Sequence, residues 1–596
     1  MEKSTSSQTE HYDVVIIGAG LAGLSLARQL TLQCGNEKSI LILEKRAQIP
    51  PPQQKVGESL VQVGGYYFSK VLDLEEHLMR NHFMKYNLRF YWKTAGRDNR
   101  CFEDYSQCYI RNFSNIATYQ LDRNVIEGEL HRLNVDEPHI TYCAPIRDLH
   151  VDLSNHDPHT LSFTLENEKR MVKADWVVDT SGRARVLAKQ MDLLKEVSIR
   201  HGSSFVWVDG LVNIEELTEF SLKERRLKKD RRILGHAPIW LATNQFLGEG
   251  FWFWVIPLQG RTSLGIVYDS ALFPREKVDT AEKLIAWVCE EFPLFARDLP
   301  KRRILCASSI KNFSHDCQQT MSPSRWAMSG ESGRFNDPLY SPGSDFIAFH
   351  NTLICDAILT ENKKELAGKI HLFELLVQSV YSSLLPTFNV SYNALGRQES
   401  FALKYTWELS AYFTFFVFPF INDLITDRRF IIAYLSRFSR LGPINLSVQN
   451  YLSAYYEWKK GQPVTTEPIF HDFASAEPLR RAEGTFYKTG TDVQEAKKVL
   501  DMQIDSLIEL ARFIVAHINA DVVGDSRALT NRLFVETIDL NKLSFDVEEI
   551  RARYGMYSAS TASYEWSFDS CVLDKLRTSA MTGAEYTMAE QGKIGG

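Results

Sequence analysis

Paired cysteines, an excess of charge of either sign, and long uninterrupted apolar runs are all missing from this chain of 596 residues. Nine cysteines are scattered along it without a CxxC pair and without histidines at ligand spacing, and the closest two are Cys101 and Cys108. That pattern excludes a zinc-type ligand set, so no metal is expected. An odd cysteine count fits a reducing cytosol. The net charge is only -6 with a pI near 6.2, which offers no basic surface to nucleic acid or to an anionic membrane. The longest apolar stretch, Leu409 to Ile421, is broken by Ser410, Thr414 and Pro419. It falls short of the roughly 20 residues that a spanning helix requires, so a buried or pocket-lining helix is expected. Met1 to His11 is polar and has no apolar core of a secretion signal. Together these readings point to a cytoplasmic protein without a membrane span or a nucleic-acid partner.

Hydrophobic residues make up 44% and charged residues 24%, as in an ordinary globular chain. Aromatics reach 12%, with 35 Phe, 24 Tyr and 11 Trp, enough for a large core or for a pocket that takes a bulky ring. The length allows two to four domains. Tyr12 to Ile17 and Ile40 to Glu44 read as strands buried on both faces of a parallel sheet. Asp175 to Asp179 and Arg325 to Met328 repeat that texture. Alternating stretches such as Leu88 to Trp92 and Phe251 to Val255 suit an antiparallel sheet. From about residue 361 helical periodicity dominates, as in Lys364 to Leu384, Phe430 to Phe438 and Val493 to His517. The expected fold is α/β: a Rossmann-type βαβ domain over 10–360 with an inserted antiparallel substrate sheet (about 60–140 and 195–305). A helical C-terminal region follows over 361–580, then a flexible tail over 581–596.

Gly18-Ala19-Gly20-Leu21-Ala22-Gly23 follows a strand and opens a helix, the context in which GxGxxG reads as a dinucleotide site. Gly18 permits the turn, Gly20 the approach of a pyrophosphate, and Gly23 close helix–strand packing. The helix N-terminus supplies N–H donors to phosphate. Glu44, 21 residues beyond Gly23 and followed by Lys45, is placed to accept from an adenosine ribose.

Further elements carry a family resemblance. Asp175-Trp-Val-Val-Asp179-Thr-Ser-Gly182-Arg resembles the internal strand-turn of FAD enzymes of the aromatic-hydroxylase and halogenase group. Gly330-Glu331-Ser-Gly-Arg-Phe-Asn-Asp337-Pro338 resembles their "GD…DP" element, with Glu331 where that element has aspartate. Trp252-Phe-Trp254-Val-Ile256-Pro257 matches the WxWxIP signature of the flavin-dependent halogenases. Lys55-Val-Gly57-Glu58-Ser59, Tyr119-Gln-Leu-Asp122-Arg123 and Lys85 resemble, in turn, that family's flavin-side loop, its "vdR" strand and its catalytic lysine. The resemblance covers roughly Tyr12 to Leu359. It implies FAD as cofactor, used in reduced form, and chloride or bromide as cosubstrate. Glu331 would face the ribityl chain, and Asp337-Pro338 the isoalloxazine. Trp252 and Trp254 would fill space beside the flavin, and the Lys85 ammonium would polarise hypohalous acid toward an electron-rich ring. No second GxGxxG is present, so a separate NADH-dependent flavin reductase is the implied partner.

Two departures bear on the substrate and the halide. Tyr340 stands where halogenases of free tryptophan have glutamate, which resembles the members that take phenols or pyrroles, free or tethered to a carrier protein. Pro342 has no N–H for the halide loop. Gly343 and Ser344 supply two amides if that loop shifts by one residue, and Asp345 opposes a halide unless it is paired or turned away. Three functions therefore stand open: a halogenase, a flavin monooxygenase or oxidase without halide use, and an inactive flavin-binding protein.

Overall fold

The computed structural model describes residues 9–569 except 111, 113, 156, 157, 222 and 225–237, so the expected tail over 581–596 lies outside the described residues. The first sheet is assembled around the Glu10–Ile17 strand. It runs in the order Met321–Ser322, Trp326–Met328, Glu168–Asp179, Glu10–Ile17, Ile40–Leu43 and Ile140–Cys143, with a side hairpin of Ile146–Asp152 and His159–Leu165. Its central pairs are parallel. Alternate side chains enter two different cores: Val14, Ile16, Ile40 and Ile42 join one, and Val15, Ile17, Leu41 and Leu43 the other. Burial on both faces explains why these strands read as unbroken apolar runs. The third strand is longer than Asp175 to Asp179, because its first half pairs antiparallel with His159–Leu165.

The second sheet has eight strands, in the order Ile304–Ile310, His201–Asp209, Arg261–Asp269, Phe251–Leu258, Thr243–Gly248, Leu88–Lys93, Tyr105–Tyr109 and Phe470–Asp472. Five of its seven strand pairs are antiparallel, as expected, and three features lie outside that expectation. Thr243–Gly248 runs parallel to Leu88–Lys93, and Phe470–Asp472 parallel to Tyr105–Tyr109. Both pairs join segments far apart in the chain, which a tight hairpin does not constrain to run antiparallel. The last strand comes from the C-terminal part, so that part is stitched into the sheet. Finally, the alternation in Phe251–Leu258 does not separate core from solvent, since all eight residues are buried. Phe251, Phe253 and Val255 pack into one core, while Trp252, Trp254 and Ile256 face the other.

Beyond Lys363 helices predominate: Lys363–Asn389, Gln398–Tyr412, Arg428–Phe438, Leu441–Lys459 and the 31-residue Val493–Val523. Leu409 to Ile421 completes the second of these helices, passes through a π-helical turn at Phe413–Val417 and ends in Phe418–Ile421. Among the described residues no helix is long and apolar enough to cross a membrane. Among the described residues no group of three His, Cys, Asp or Glu side chains could hold a metal ion, and their cysteines are free.

The junction of the first strand and first helix is packed to contact. Gly18 lies at φ +109°, and a Cβ there would come within 2.8 Å of Thr180 O. A Cβ at Gly23 would overlap Gly18 O and stand 2.5 Å from Thr180 Oγ1, a hydroxyl that itself donates to Gly18 O at 2.8 Å. Gly23→Ala is therefore expected to lower stability by about 1–3 kcal/mol, the usual cost of overpacking, measured as a reduced urea midpoint of the apoprotein. An unchanged midpoint would contradict this packing.

Candidate active site

A cleft of about 430 Å³ opens where the two sheets meet. At one end it receives the N-terminus of the 14-residue Leu21–Cys34 helix, which no side chain caps. Gly18, Gly20 and Ala22 line this end, and a Cβ built at Gly20 meets nothing within 4 Å. The space above Gly20 is thus open to a ligand, with helix amides at its edge. Glu44, Lys45 and Arg46 continue the wall. Glu44 accepts from Ala19 N and from Arg46 N, both at 2.9 Å, so its carboxylate ties the strand end to the glycine turn. Gly57, Glu58, Ser59 and Arg123 form one flank, and Gly182, Gly330, Glu331 and Pro338 the other. Arg123 is held by Val56 O and Glu127, both at 2.7 Å. Buried Glu58 accepts from the Trp207 indole at 3.2 Å, and burial raises its pKa above the ordinary range.

Four residues expected at the cofactor lie behind this wall: Ala19, Gly23, Asp179 and Asp337 are not part of the lining. Asp179 is fully buried, and its carboxylate accepts from Ser181 N and Leu187 N, each at 2.8 Å. It shapes the turn that carries Gly182. Asp337 is taken up by His201 Nδ1 at 2.5 Å and Leu339 N at 2.7 Å. Buried carboxylates need such donors, and here the backbone and His201 supply them.

Trp252 and Trp254 both line the cleft, with ring centroids 5.6 Å apart. Their indoles donate to Tyr392 Oη at 2.8 Å and to Ser263 Oγ at 3.1 Å, which locks both rotamers. Beside them stands a residue that sequence reasoning missed. Gln245 is wholly buried, lies opposite Trp254 in register and lines the cleft, yet neither atom of its amide has a hydrogen-bond partner among the described residues. Gln54 Oε1 and Arg334 Nη1, in the same lining, are likewise unpartnered. Leaving such groups unpaired costs about 1–3 kcal/mol each. A ligand with several polar edges relieves that cost, and together with the helix N-terminus and Glu44 the donor set fits FAD. No sequence signal marked Gln245, since its place depends on strand pairing.

A second cavity of about 120 Å³ lies beyond the cleft, and Lys85, Tyr340, Pro342 and Asp345 line it. The buried Lys85 ammonium donates to Leu60 O at 2.7 Å and to Ser59 Oγ at 2.9 Å. Ser59 belongs to the cleft wall, so Lys85 sits in the partition between the two spaces. Burial pushes Lys85 down to about 7, against the pull of Asp345. Burial likewise pushes Asp345 up to about 7, opposed by hydrogen bonds from Tyr412 Oη at 2.6 Å and Gly64 N at 2.7 Å and by the charge of Lys85. Asp345 thus turns away from the cleft and is paired. Pro342 is the N-cap of the Gly343–Ile358 helix, and Gly343 and Ser344, its first two residues, line the cleft. At such a cap a missing N–H costs nothing. Tyr340 and Ser341 precede it at φ +66° each, a strained pair of turns that directs Tyr340 into the second cavity.

Gly20→Ala should leave the apoprotein's urea midpoint nearly unchanged, because its Cβ has room, yet weaken FAD binding. We expect roughly tenfold or more, equivalent to about 1.4 kcal/mol of lost contact, read by flavin fluorescence quenching. Undiminished affinity would remove Gly20 from the cofactor site.

Comparison with known proteins agrees with this architecture. Residues 16–78 match the family described as an NAD(P)-binding Rossmann-like domain. The chain is 25% identical over 439 residues to flavin-dependent halogenase chlA of Dictyostelium discoideum, covering 69% of this chain and 71% of that protein. It is 23% identical over 375 residues to tetracycline 7-halogenase of Kitasatospora aureofaciens, covering 58% and 63%. Among solved structures, halogenase PltM in complex with phloroglucinol and FAD superposes with a TM-score of 0.57 at 15% identity, over 84% of this chain and 96% of that one. A flavoprotein/dehydrogenase from Cytophaga hutchinsonii superposes at 0.51, with 16% identity over 75% and 99%. In sequence the chain is thus similar to flavin-dependent halogenases, and in fold to a solved FAD-bound halogenase.

Proposed function

We propose that this chain is an FAD-dependent halogenase acting on an electron-rich aromatic, phenol- or pyrrole-like, free or carrier-bound. Chloride or bromide serves as cosubstrate, and a separate NADH-dependent flavin reductase supplies reduced FAD. The observation that carries the reading is the position of Lys85 in the partition, bonded to a cleft residue while lining an apolar cavity. Bound FAD, once reduced, supplies with O2 and halide an electrophilic halogen in the form of hypohalous acid.

The chain's own residues do the rest. The helix N-terminal amides at Gly20 to Ala22, with Glu44, Lys45, Arg46, Gly57, Arg123 and Gly182, hold the dinucleotide, and Gly330, Glu331 and Pro338 face its middle and ring. Trp252 and Trp254 fill the space beside the ring, so that an aromatic substrate is kept out of the cleft. The Gly343 and Ser344 amides, at a helix N-terminus that favours anions, receive halide. The Lys85 ammonium hydrogen-bonds the travelling hypohalous acid and donates a proton to the oxygen that leaves, while the substrate ring waits in the second cavity. Hydrophobic walls around it exclude water and strengthen these contacts.

The test combines the protein, FAD, a reductase, NADH and bromide with a panel of phenols, read by mass spectrometry. Brominated products are expected. Lys85→Ala should cut their rate by roughly 100-fold or more, the scale of losing one such donor, with FAD affinity kept. Oxygenated products without halogen would instead assign a monooxygenase. The pH profile adds a sign. The ammonium form does the work and burial brings Lys85 down to about 7, so the rate should fall as pH rises through that value. Asp345→Asn removes the carboxylate that supports the charge and should move this limb to lower pH. A profile flat through neutrality would exclude Lys85 as the donor.

A further inference from the structure

The second cavity has one end built only of acceptors. Glu408, on the Gln398–Tyr412 helix, and Tyr340, on the strained loop before Pro342, both line it. Tyr340 Oη donates its proton to Glu408 Oε2 at 2.9 Å. The other carboxylate oxygen, Oε1, receives the Lys404 ammonium at 2.6 Å and the Gln449 amide at 2.8 Å. Lys404 is completely buried and also donates to Ser391 Oγ at 2.7 Å and Thr387 O at 3.0 Å. Lys404 is thus ion-paired with Glu408, whose side chain is only 9% exposed. Oε1 is saturated, whereas Oε2 has a single donor. The hydroxyl proton of Tyr340 is committed, and burial with the adjacent carboxylate raises its pKa well above the ordinary value. What remains toward the cavity is the lone pairs of Tyr340 Oη and Glu408 Oε2. The neighbouring walls, among them Leu339, Leu384, Leu409 and Phe413, are apolar.

We propose that Tyr340 and Glu408 together accept the hydroxyl proton of a phenolic ring held in this cavity, which makes Glu408 a specificity-determining carboxylate. A bare hydrocarbon or a fully methylated ring would leave these acceptors unpaired, a loss that rejects such analogues. The size agrees with one ring, since an apolar cavity of roughly 150 Å³ takes up benzene. The inference rests on the halogenase reading for its chemical step. There, the ring hydroxyl passes its proton to Tyr340 as Tyr340 passes its own to Glu408. The electron-rich ring carbon attacks the halogen of hypohalous acid, so that the carbon–halogen bond forms and the oxygen–halogen bond breaks. The departing oxygen takes a proton from Lys85 and leaves as water. The ring C–H proton then returns to Lys85, the aromatic ring is restored, and Glu408 returns the hydroxyl proton through Tyr340. The sum is phenol plus hypohalous acid giving halophenol plus water.

Binding tests this without halide or reductant, so its outcome is independent of whether the chain halogenates. Phloroglucinol and its tri-O-methyl ether are titrated calorimetrically into the FAD-loaded protein. The wild type should prefer phloroglucinol by roughly 10- to 100-fold, the range for one hydrogen bond to a charged group. Glu408→Gln and Tyr340→Phe should each abolish that preference while leaving the ether's affinity unchanged. Tyr340→Phe keeps the Lys404–Glu408 pair, so it remains informative if Glu408→Gln does not fold. Equal binding of the two probes to the wild type, no binding of phloroglucinol, or a preference that survives Tyr340→Phe would overturn the proposal. In turnover, both variants should raise KM and lower kcat together. Hydroxyl preference without any halogenated product would sink the halogenase reading and leave this one standing.

Discussion

The Lys85 ammonium, held by Ser59 Oγ and Leu60 O, is the contact on which the arrangement of the two cavities depends. A cation taken out of water costs several kcal/mol unless the protein repays it. Here the hydroxyl of Ser59, the carbonyl of the adjacent Leu60 and, from far along the chain, the nearby Asp345 do so. Ser59 in turn bonds Thr243 Oγ1 at 2.8 Å, and Thr243 bonds Gln120 Oε1 at 3.1 Å. The flavin-side loop, the second sheet and the Gly343–Ile358 helix are thereby registered against one nitrogen. A displacement of any of them would leave a buried charge unpaired, which makes the partition a stiff part of the molecule.

That stiffness has a division of labour behind it. The Phe251–Leu258 strand is buried on both faces, so it serves two purposes: Phe251, Phe253 and Val255 anchor a compact core, and Trp252 and Trp254 present indoles to the cleft. The C-terminal part closes the second cavity. Tyr405, Glu408, Tyr412 and Phe416 reach the second cavity, and Phe470–Asp472 extends the sheet that carries the tryptophans. Phe415, by contrast, packs against Tyr434 and Phe438. The aromatic helix therefore roofs the cavity along one stripe and fills core along another, as a 3.6-residue period dictates. Two buried lysines serve the same cavity, Lys85 with the charge of Asp345 nearby and Lys404 ion-paired with Glu408. Lys85 supplies a donor and the Lys404–Glu408 pair an acceptor.

The βαβ unit was legible in the sequence because everything that forms it is local. A both-faces-buried strand, a turn requiring positive φ at Gly18, and a helix needing contact at Gly23 all lie within one short segment. The same holds for the paired tryptophans of Phe251–Leu258, whose spacing alone puts both indoles on one face. Lys85 and Tyr340 were readable as residue types in recognisable surroundings. Asp179 and Asp337 were readable only as carboxylates near a cofactor motif, and their hydrogen bonds put them behind the wall. The difference is one of orientation, which a motif does not encode.

Tertiary structure alone decided the rest. Glu408 meets Tyr340 across 68 residues and Gln245 meets Trp254 through strand pairing. Asp345 turns into the second cavity because Tyr412 and Gly64 N are there to receive it. Pro342, an apparent defect in a loop, becomes harmless as a helix cap. Backbone geometry over a few residues is dictated by local sterics and hydrogen bonds, so the opening glycine turn and the tryptophan strand could be read directly. Which side chains share a cavity depends on how distant segments pack and which buried charges find partners. Those energies exist only once the chain has closed on itself.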